Sequence, residues 1–367
     1  MIVAEVLCVV LGVVIVFLVL SAAVRTVVVP RAEQVFLNRV VFRLVRNCFE
    51  MFAKETRPYK ERDRVMARYA PTALMVLPFV WMAGVIGGFS AIFWGLRVRP
   101  YEHALVLAGS SATTLGFERS EGLTVHLVVI AEAMIGLGLV ALLISFLPTM
   151  YGHFSKREVL VTQIHNWSVD ENGASPATML IRAHQINGFD RLHDTWVRWE
   201  TWFVELEETH TSFPALAFFR SPTPDRSWVT MSGVVLDGAA LFLSCVNTTS
   251  DPQAAITIRA GYLSLRHIAE YFAIPHDPSP SADDPISVTK AEFMAVYESL
   301  ASAGVPVRSD RERAWRDFSG WRVNYDQTLT QLASLTTAPL QPWVSDRSAT
   351  FRRSPVMRRN PNRTTNK

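Results

Sequence analysis

Apolar and polar positions are arranged in two different ways along the 367 residues. Up to Val159, long uncharged apolar runs alternate with charged stretches; beyond it, apolar residues recur at helical spacing between turn clusters. From Val6 to Val24 no residue is charged, 19 positions rich in Val, Leu and Ile. That length covers the ~30 Å of a hydrocarbon core. A second uncharged run, Tyr69 to Leu96, carries Pro71, Pro78 and the pair Gly87 and Gly88, which membrane helices tolerate better than soluble ones. A third, Gly122 to Gly152, is interrupted by His126 and one carboxylate, Glu132. The pattern predicts three spans, near 3–24, 71–96 and 123–148. A later run, GVVLDGAALFLSCV from Gly233 to Val246, has only 14 residues and encloses Asp237. A buried helix is expected there instead of a fourth span.

Charge orients the spans. Between Arg25 and Arg68 lie 11 basic and five acidic residues, whereas Arg97, Arg99 and Arg119 in the next loop are balanced by Glu102, Glu118 and Glu121. Basic loops stay in the cytoplasm, which predicts a multi-pass protein of the cell membrane with its N-terminus outside and everything after Lys156 and Arg157 inside. Glu5 without a preceding Lys or Arg, and Arg25 after the first run, argue for a retained anchor over a cleaved leader. Within VFLNRVVFRLVRNCFEMFAK, Phe36, Val40, Leu44 and Phe49 are set against Arg39, Arg43 and Arg46. Either a basic amphipathic helix on anionic lipid or a plain juxtamembrane linker helix fits that pattern.

Composition narrows the function classes. A 49% apolar content suits a membrane part joined to one domain, and a net charge of +3 is too small to argue for nucleic acid. Cys8, Cys48 and Cys245 lack metal-ligand spacing and suggest no disulfide framework. No HExxH, GxSxG or Gly-rich phosphate loop with Lys occurs. No catalytic residue, metal site or cofactor is expected, and nothing argues for an enzyme.

The loop GSSATTLGFERSEG, Gly109 to Gly122, lies between the second and third spans. With the preceding YEHALVLAGSSA it resembles the pore module of the potassium channel superfamily, in which a short pore helix descends and a Thr-Val-Gly-Tyr-Gly type filter climbs back. The resemblance implies a re-entrant pore helix over Tyr101 to Ala112 and a filter of Thr113, Thr114, Leu115, Gly116, Phe117 and Glu118. Backbone carbonyls of Thr114 to Phe117 and the Thr114 hydroxyl would replace the hydration shell of a monovalent cation, potassium by analogy. Glu118 and Arg119 stand where the family has a second Gly and usually Asp. If that backbone needs positive φ, Glu costs about 1–2 kcal/mol per subunit, so the outer filter differs in shape or the loop selects ions differently. The stretch Glu132 to Val161, with Gly136 and Gly138 mid-helix and the exit sequence FSKRE, is similar to the inner helix of a bacterial channel-like family with a helical cytoplasmic domain. Helix packing suits the glycines better than a gate. Glu132, an ionisable group at membrane depth, has three readings: held behind the filter by Ser110 or Ser111, lining the path, or protonated and bonded to backbone.

Past Val159 the chain predicts a mostly helical cytoplasmic domain over 159–346 and a basic disordered tail over 347–367 that can touch anionic lipid. Ser175 before Pro176 starts a helix that runs on to Pro214. TKAEF at Thr289 and SDRE at Ser309 read as capping boxes. Trp196, Trp199 and Trp202 form a packing stripe, and RVNYD, Arg322 to Asp326, resembles part of the soluble tail of the same bacterial family. The expected organisation is an anchor over 1–24, a basic segment over 25–68, a pore module over 69–158, the helical domain and the tail. The class is an all-α membrane protein, with the bilayer as partner and a homotetramer implied by one pore loop per chain. The leading expectation is a cation channel with a degenerate TTLGFE filter. Its rival is a non-conducting membrane sensor or scaffold that keeps the channel fold and binds a partner through its helical domain.

Overall fold

The computed structural model describes residues 2–27, 35–53, 58–119, 121–171, 173–186, 188–248 and 251–347, and is about 75% helical. Basic residues from Arg352 to Lys367 in the expected tail lie outside the described residues. Two compact units divide the chain, one of Met1–Thr56 and Arg68–Gly152, the other of Arg57–Ala67 and His153–Lys367. The expected 25–68 segment is thus shared between them.

The first six helices are α1 (Ile2–Val27), α2 (Phe36–Phe52), α3 (Tyr59–Met66), α4 (Tyr69–Gly95), α5 (Tyr101–Ala112) and α6 (Leu123–Ser168). All but α3 and the end of α6 build the first unit. In it α1 crosses α4 backbone against backbone. A Cβ at Gly12 would lie 2.4 Å from the Gly88 carbonyl oxygen, and one at Gly88 would lie 2.6 Å from the Val16 Cγ2. Gly84 and Gly88 are one GxxxG spacing, the small-residue arrangement that lets apolar helices approach without a hydrophobic driving force. At the Glu5 end of this pair the carboxylate accepts from Arg97 Nε at 3.3 Å and lies 3.7 Å from Arg99 Nη2. Arg99 also covers the Trp94 ring at 3.9 Å. A helix does form over the basic amphipathic stretch. Its Val41 is buried, and its Phe42 and Phe49 rings stand edge-on to Tyr69 at 6.4 Å. Phe36, Leu44, Met51 and Phe52 form a separate exposed apolar face.

In the second unit a two-stranded antiparallel turn, β1 (Val169–Asp170) with β2 (Gly173–Ala174), follows α6. Then come α7 (Pro176–Gln185), α8 (Leu192–Ser212), α9 (Trp228–Cys245), α10 (Pro252–Tyr271), α11 (Lys290–Ser302), α12 (Arg311–Arg322) and α13 (Asp326–Thr336). Ser175 caps α7 as expected, its hydroxyl accepting from Ala177 N–H. The helix does not run on to Pro214. The chain leaves it before Gly188, whose amide closes on Ala183 O at 2.7 Å, and α8 starts afresh at Leu192; turn chemistry outweighed the apolar periodicity. Thr289 and Glu292 make the expected reciprocal capping box. At the next helix the cap is Asp310, which accepts from Arg313 N–H at 2.9 Å, one residue beyond the Ser309 that the SDRE pattern suggested. All three tryptophans of the α8 stripe are buried in this core.

Among the described residues, four helices are long and apolar enough to cross a membrane: α1, the α3–α4 run, α6 and α9. They differ in what surrounds them. In α9 94% of the apolar window is buried inside the unit, against 17% in α6. The charge inside α9, Asp237, is paired within that core. Its carboxylate receives Arg322 Nη1 at 2.5 and 2.6 Å and the Tyr325 hydroxyl at 2.9 Å. Arg322 also donates from Nε to Asp326 at 2.7 Å and to the Trp343 carbonyl. Burial opposes the Arg322 charge, but Asp237 and Asp326 outweigh it and raise the guanidinium pKa. The Asp237 and RVNYD signals, 85 residues apart, are two halves of one buried network.

Candidate functional site

α5 is flanked by Pro100 at its start, where the missing N–H of proline costs the helix nothing. Beyond Ala112 the backbone turns out of helix. Thr114 (φ 57°) and Gly116 (φ 67°) take the left-handed region, which a glycine enters freely and a β-branched threonine only when its surroundings hold it there. Thr114 N–H bonds Ser111 O at 3.0 Å, and Ser110 holds the residues that follow. Its carbonyl accepts from Leu115 N–H at 2.9 Å and Gly116 N–H at 3.3 Å. Its hydroxyl accepts from Phe117 N–H at 3.0 Å and Glu118 N–H at 3.3 Å. One serine thus fixes four successive amides of the loop and turns their N–H groups back toward α5.

Thr113 closes the helix end, its hydroxyl donating to Gly109 O at 2.6 Å. Leu115 and Phe117 are 70% and 65% exposed in the single chain. Glu118 is half-buried, outside the left-handed region, and 3.4 Å from His103 Nδ1 on α5. The loop therefore accommodates Glu118 without the backbone cost that a glycine-type conformation would bring.

On α6 the two glycines part company. A Cβ at Gly136 would fall 2.0 Å from the Ala112 carbonyl oxygen, so this glycine is the seat of the α5 C-terminus. At Gly138 a Cβ would meet nothing within 4 Å, and packing inside the chain gives no reason for it. Glu132, one turn before Gly136, is fully buried, and neither carboxylate oxygen has a hydrogen-bond partner among the described residues. The Ser110 hydroxyl is occupied by the loop, and the Ser111 hydroxyl donates to Leu107 O at 2.7 Å. Neither serine therefore plays the part sequence reasoning considered for it as a partner of Glu132. The solvent-facing side of α6 carries Leu127, Ile130, Met134, Leu137 and Ile144.

Sequence reasoning missed Ser110 as the loop's anchor and His103 as the neighbour of Glu118. A hydroxyl two residues from the end of an apolar helix was the available signal for Ser110; for His103 there was none, because its partner lies across the loop. No group of three or more His, Cys, Asp or Glu suited to a metal ion occurs among the described residues. These features define an all-α protein with helices fit to cross a membrane. Set against known proteins, the chain matches no family model, no curated protein and no solved structure.

Proposed function

We propose that the chain is an ion-channel-like integral membrane protein, a homotetrameric cation channel with three spans, α1, α4 and α6, and α5 as a re-entrant helix. The observation that carries this reading is the Ser110 staple: four consecutive loop amides tied behind the backbone leave the carbonyls free for a cation. The exposed Leu115 and Phe117 and the apolar side of α6 support assembly, since a single loop supplies a quarter of a filter. Burial of α9 supports counting three spans, and the 11 basic residues between Arg25 and Arg68 support placing the N-terminus outside and the helical domain in the cytoplasm. Monovalent cations, potassium by the filter resemblance, are the permeant ions, and the bilayer is the obligate partner.

Flux into proteoliposomes under potassium and sodium gradients tests the reading. Wild type should pass cations. Glu118→Gly should shift selectivity toward potassium, and Glu118→Gln should lower cation flux chiefly at low salt, where screening is weak. Absence of flux in both wild type and Glu118→Gly would leave the second reading, a membrane sensor or scaffold of the same fold. The observation favouring that reading is Glu118 itself, seated against His103 where the family pattern has glycine.

A further inference from the structure

α3 lies in the sequence between the first two apolar runs, yet it belongs to the helical unit. None of its apolar side chains joins the core of that unit. Polar contacts attach it, most of them through Arg220 and one made by Tyr59 itself. The guanidinium pairs with Asp63 through Nη1 and donates to the Tyr59 hydroxyl at 3.3 Å. It also reaches the C-terminal end of α13, donating to Thr337 O at 3.3 Å and Thr336 O at 3.0 Å, where a cation complements the helix carbonyls. Tyr59 donates to Thr337 O at 3.3 Å, and burial, with Asp63 beside it, pushes its pKa to about 12, so it keeps its proton.

The strap that carries Arg220 is gripped from its other side. Arg157, on the part of α6 that belongs to the helical unit, donates from Nη1 to Leu216 O at 2.8 Å and from Nη2 to Phe219 O at 2.7 Å. Glu158 Oε1 and His210 Nε2 complete its shell. Burial holds the His210 pKa well below its usual value and Arg157 lowers it further, so the ring stays neutral beside the guanidinium. The five residues Leu216–Arg220 thus bind two helices besides α13. One is α6; the other is α3, which leads through Ala67 and Arg68 into α4.

We propose that the Leu216–Arg220 strap is a releasable latch that holds α3 to the helical unit, and that α3 ties it along the chain, through Ala67 and Arg68, to the first turn of α4. A contact made of hydrogen bonds and one ion pair, in which the half-buried Tyr59 is the one ring and no α3 side chain joins the core, can open without unfolding the domain. Amide hydrogen exchange on the full chain in nanodiscs is the test. Arg220→Ala should speed exchange across α3 at least tenfold, and at the first turn of α4, where Thr72 N–H bonds Arg68 O at 3.0 Å, at least threefold, while α9 and α12 keep their protection. Asp63→Asn, a change outside the core, should do the same more weakly, and the double variant should add little to Arg220→Ala. Unchanged α3 exchange in both single variants would overturn the latch. So would faster exchange throughout the helical unit, which would make the contact part of its cooperative fold. Release of α3 with no change at α4 would overturn the tie. Under the channel reading, cation flux should also change at least threefold in Arg220→Ala. Absence of flux in wild type would count against that reading alone, since the exchange arms do not depend on it.

Discussion

Replacing Ser110 by Ala removes one oxygen and, with it, the acceptor for Phe117 N–H and Glu118 N–H, at 3.0 and 3.3 Å. The bonds from Leu115 N–H and Gly116 N–H survive, because they end on the Ser110 carbonyl. A protein hydrogen bond contributes about 0.5–1.5 kcal/mol net, so the loop should lose about 1–3 kcal/mol per chain, confined to its outer half. Site-resolved amide exchange in nanodiscs reads this directly, at tenfold for each ~1.4 kcal/mol. Phe117 and Glu118 amides should exchange roughly 5- to 100-fold faster, with Leu115 and Gly116 nearly unchanged, and Ser110→Thr should restore protection by returning a hydroxyl. Equal acceleration at all four amides, or no rescue by Thr, would refute the division of labour between carbonyl and hydroxyl.

Other expectations follow from the same geometry. Gly136→Ala should lower the melting temperature in detergent, because its methyl would overlap the Ala112 carbonyl at 2.0 Å, whereas Gly138→Ala should be neutral or stabilise by up to about 1 kcal/mol. Arg322→Met, which strands the buried Asp237 carboxylate, should cost about 3–5 kcal/mol in denaturant unfolding of the helical unit, more than Arg322→Met combined with Asp237→Leu. Glu292, hydrogen-bonded by Arg347 and by the Thr289 hydroxyl and amide, has its pKa lowered from 4.5 to about 2. A depressed carboxylate pKa gives stability that is present above pH 4.5 and lost as the pH falls toward 2. Wild type should therefore approach Glu292→Gln in melting temperature over that interval, and a constant difference from pH 5 to pH 2 would show that the charge is not the cause.

Much of this protein was legible along the chain. Runs such as Val6–Val24 and Gly122–Gly152 announce helices long and apolar enough to cross a membrane, because a bilayer demands length and apolarity, two properties that linear order records. Ser175–Pro176 and Thr289–Glu292 announced helix starts, since a cap is satisfied within three residues. The helix over Tyr101–Ala112 and the irregular TTLGF stretch were likewise local matters.

Tertiary structure alone decided which distant groups meet. Asp237 interrupts an apolar run and Arg322 opens an otherwise cryptic RVNYD, and only folding shows that each exists to neutralise the other inside the core. Arg220 looks like any loop arginine until α3 and the end of α13 arrive beside it. Gly136 and Gly138 are equivalent in sequence, yet one seats a carbonyl and the other faces open space. Ser110 carries the same lesson at short range: its hydroxyl and carbonyl serve different amides because the chain reverses after Ala112. Linear order encodes what a segment can bury and where its helices begin; the partner of a buried charge or a bare backbone surface is fixed by packing, which brings together residues that no spacing rule connects.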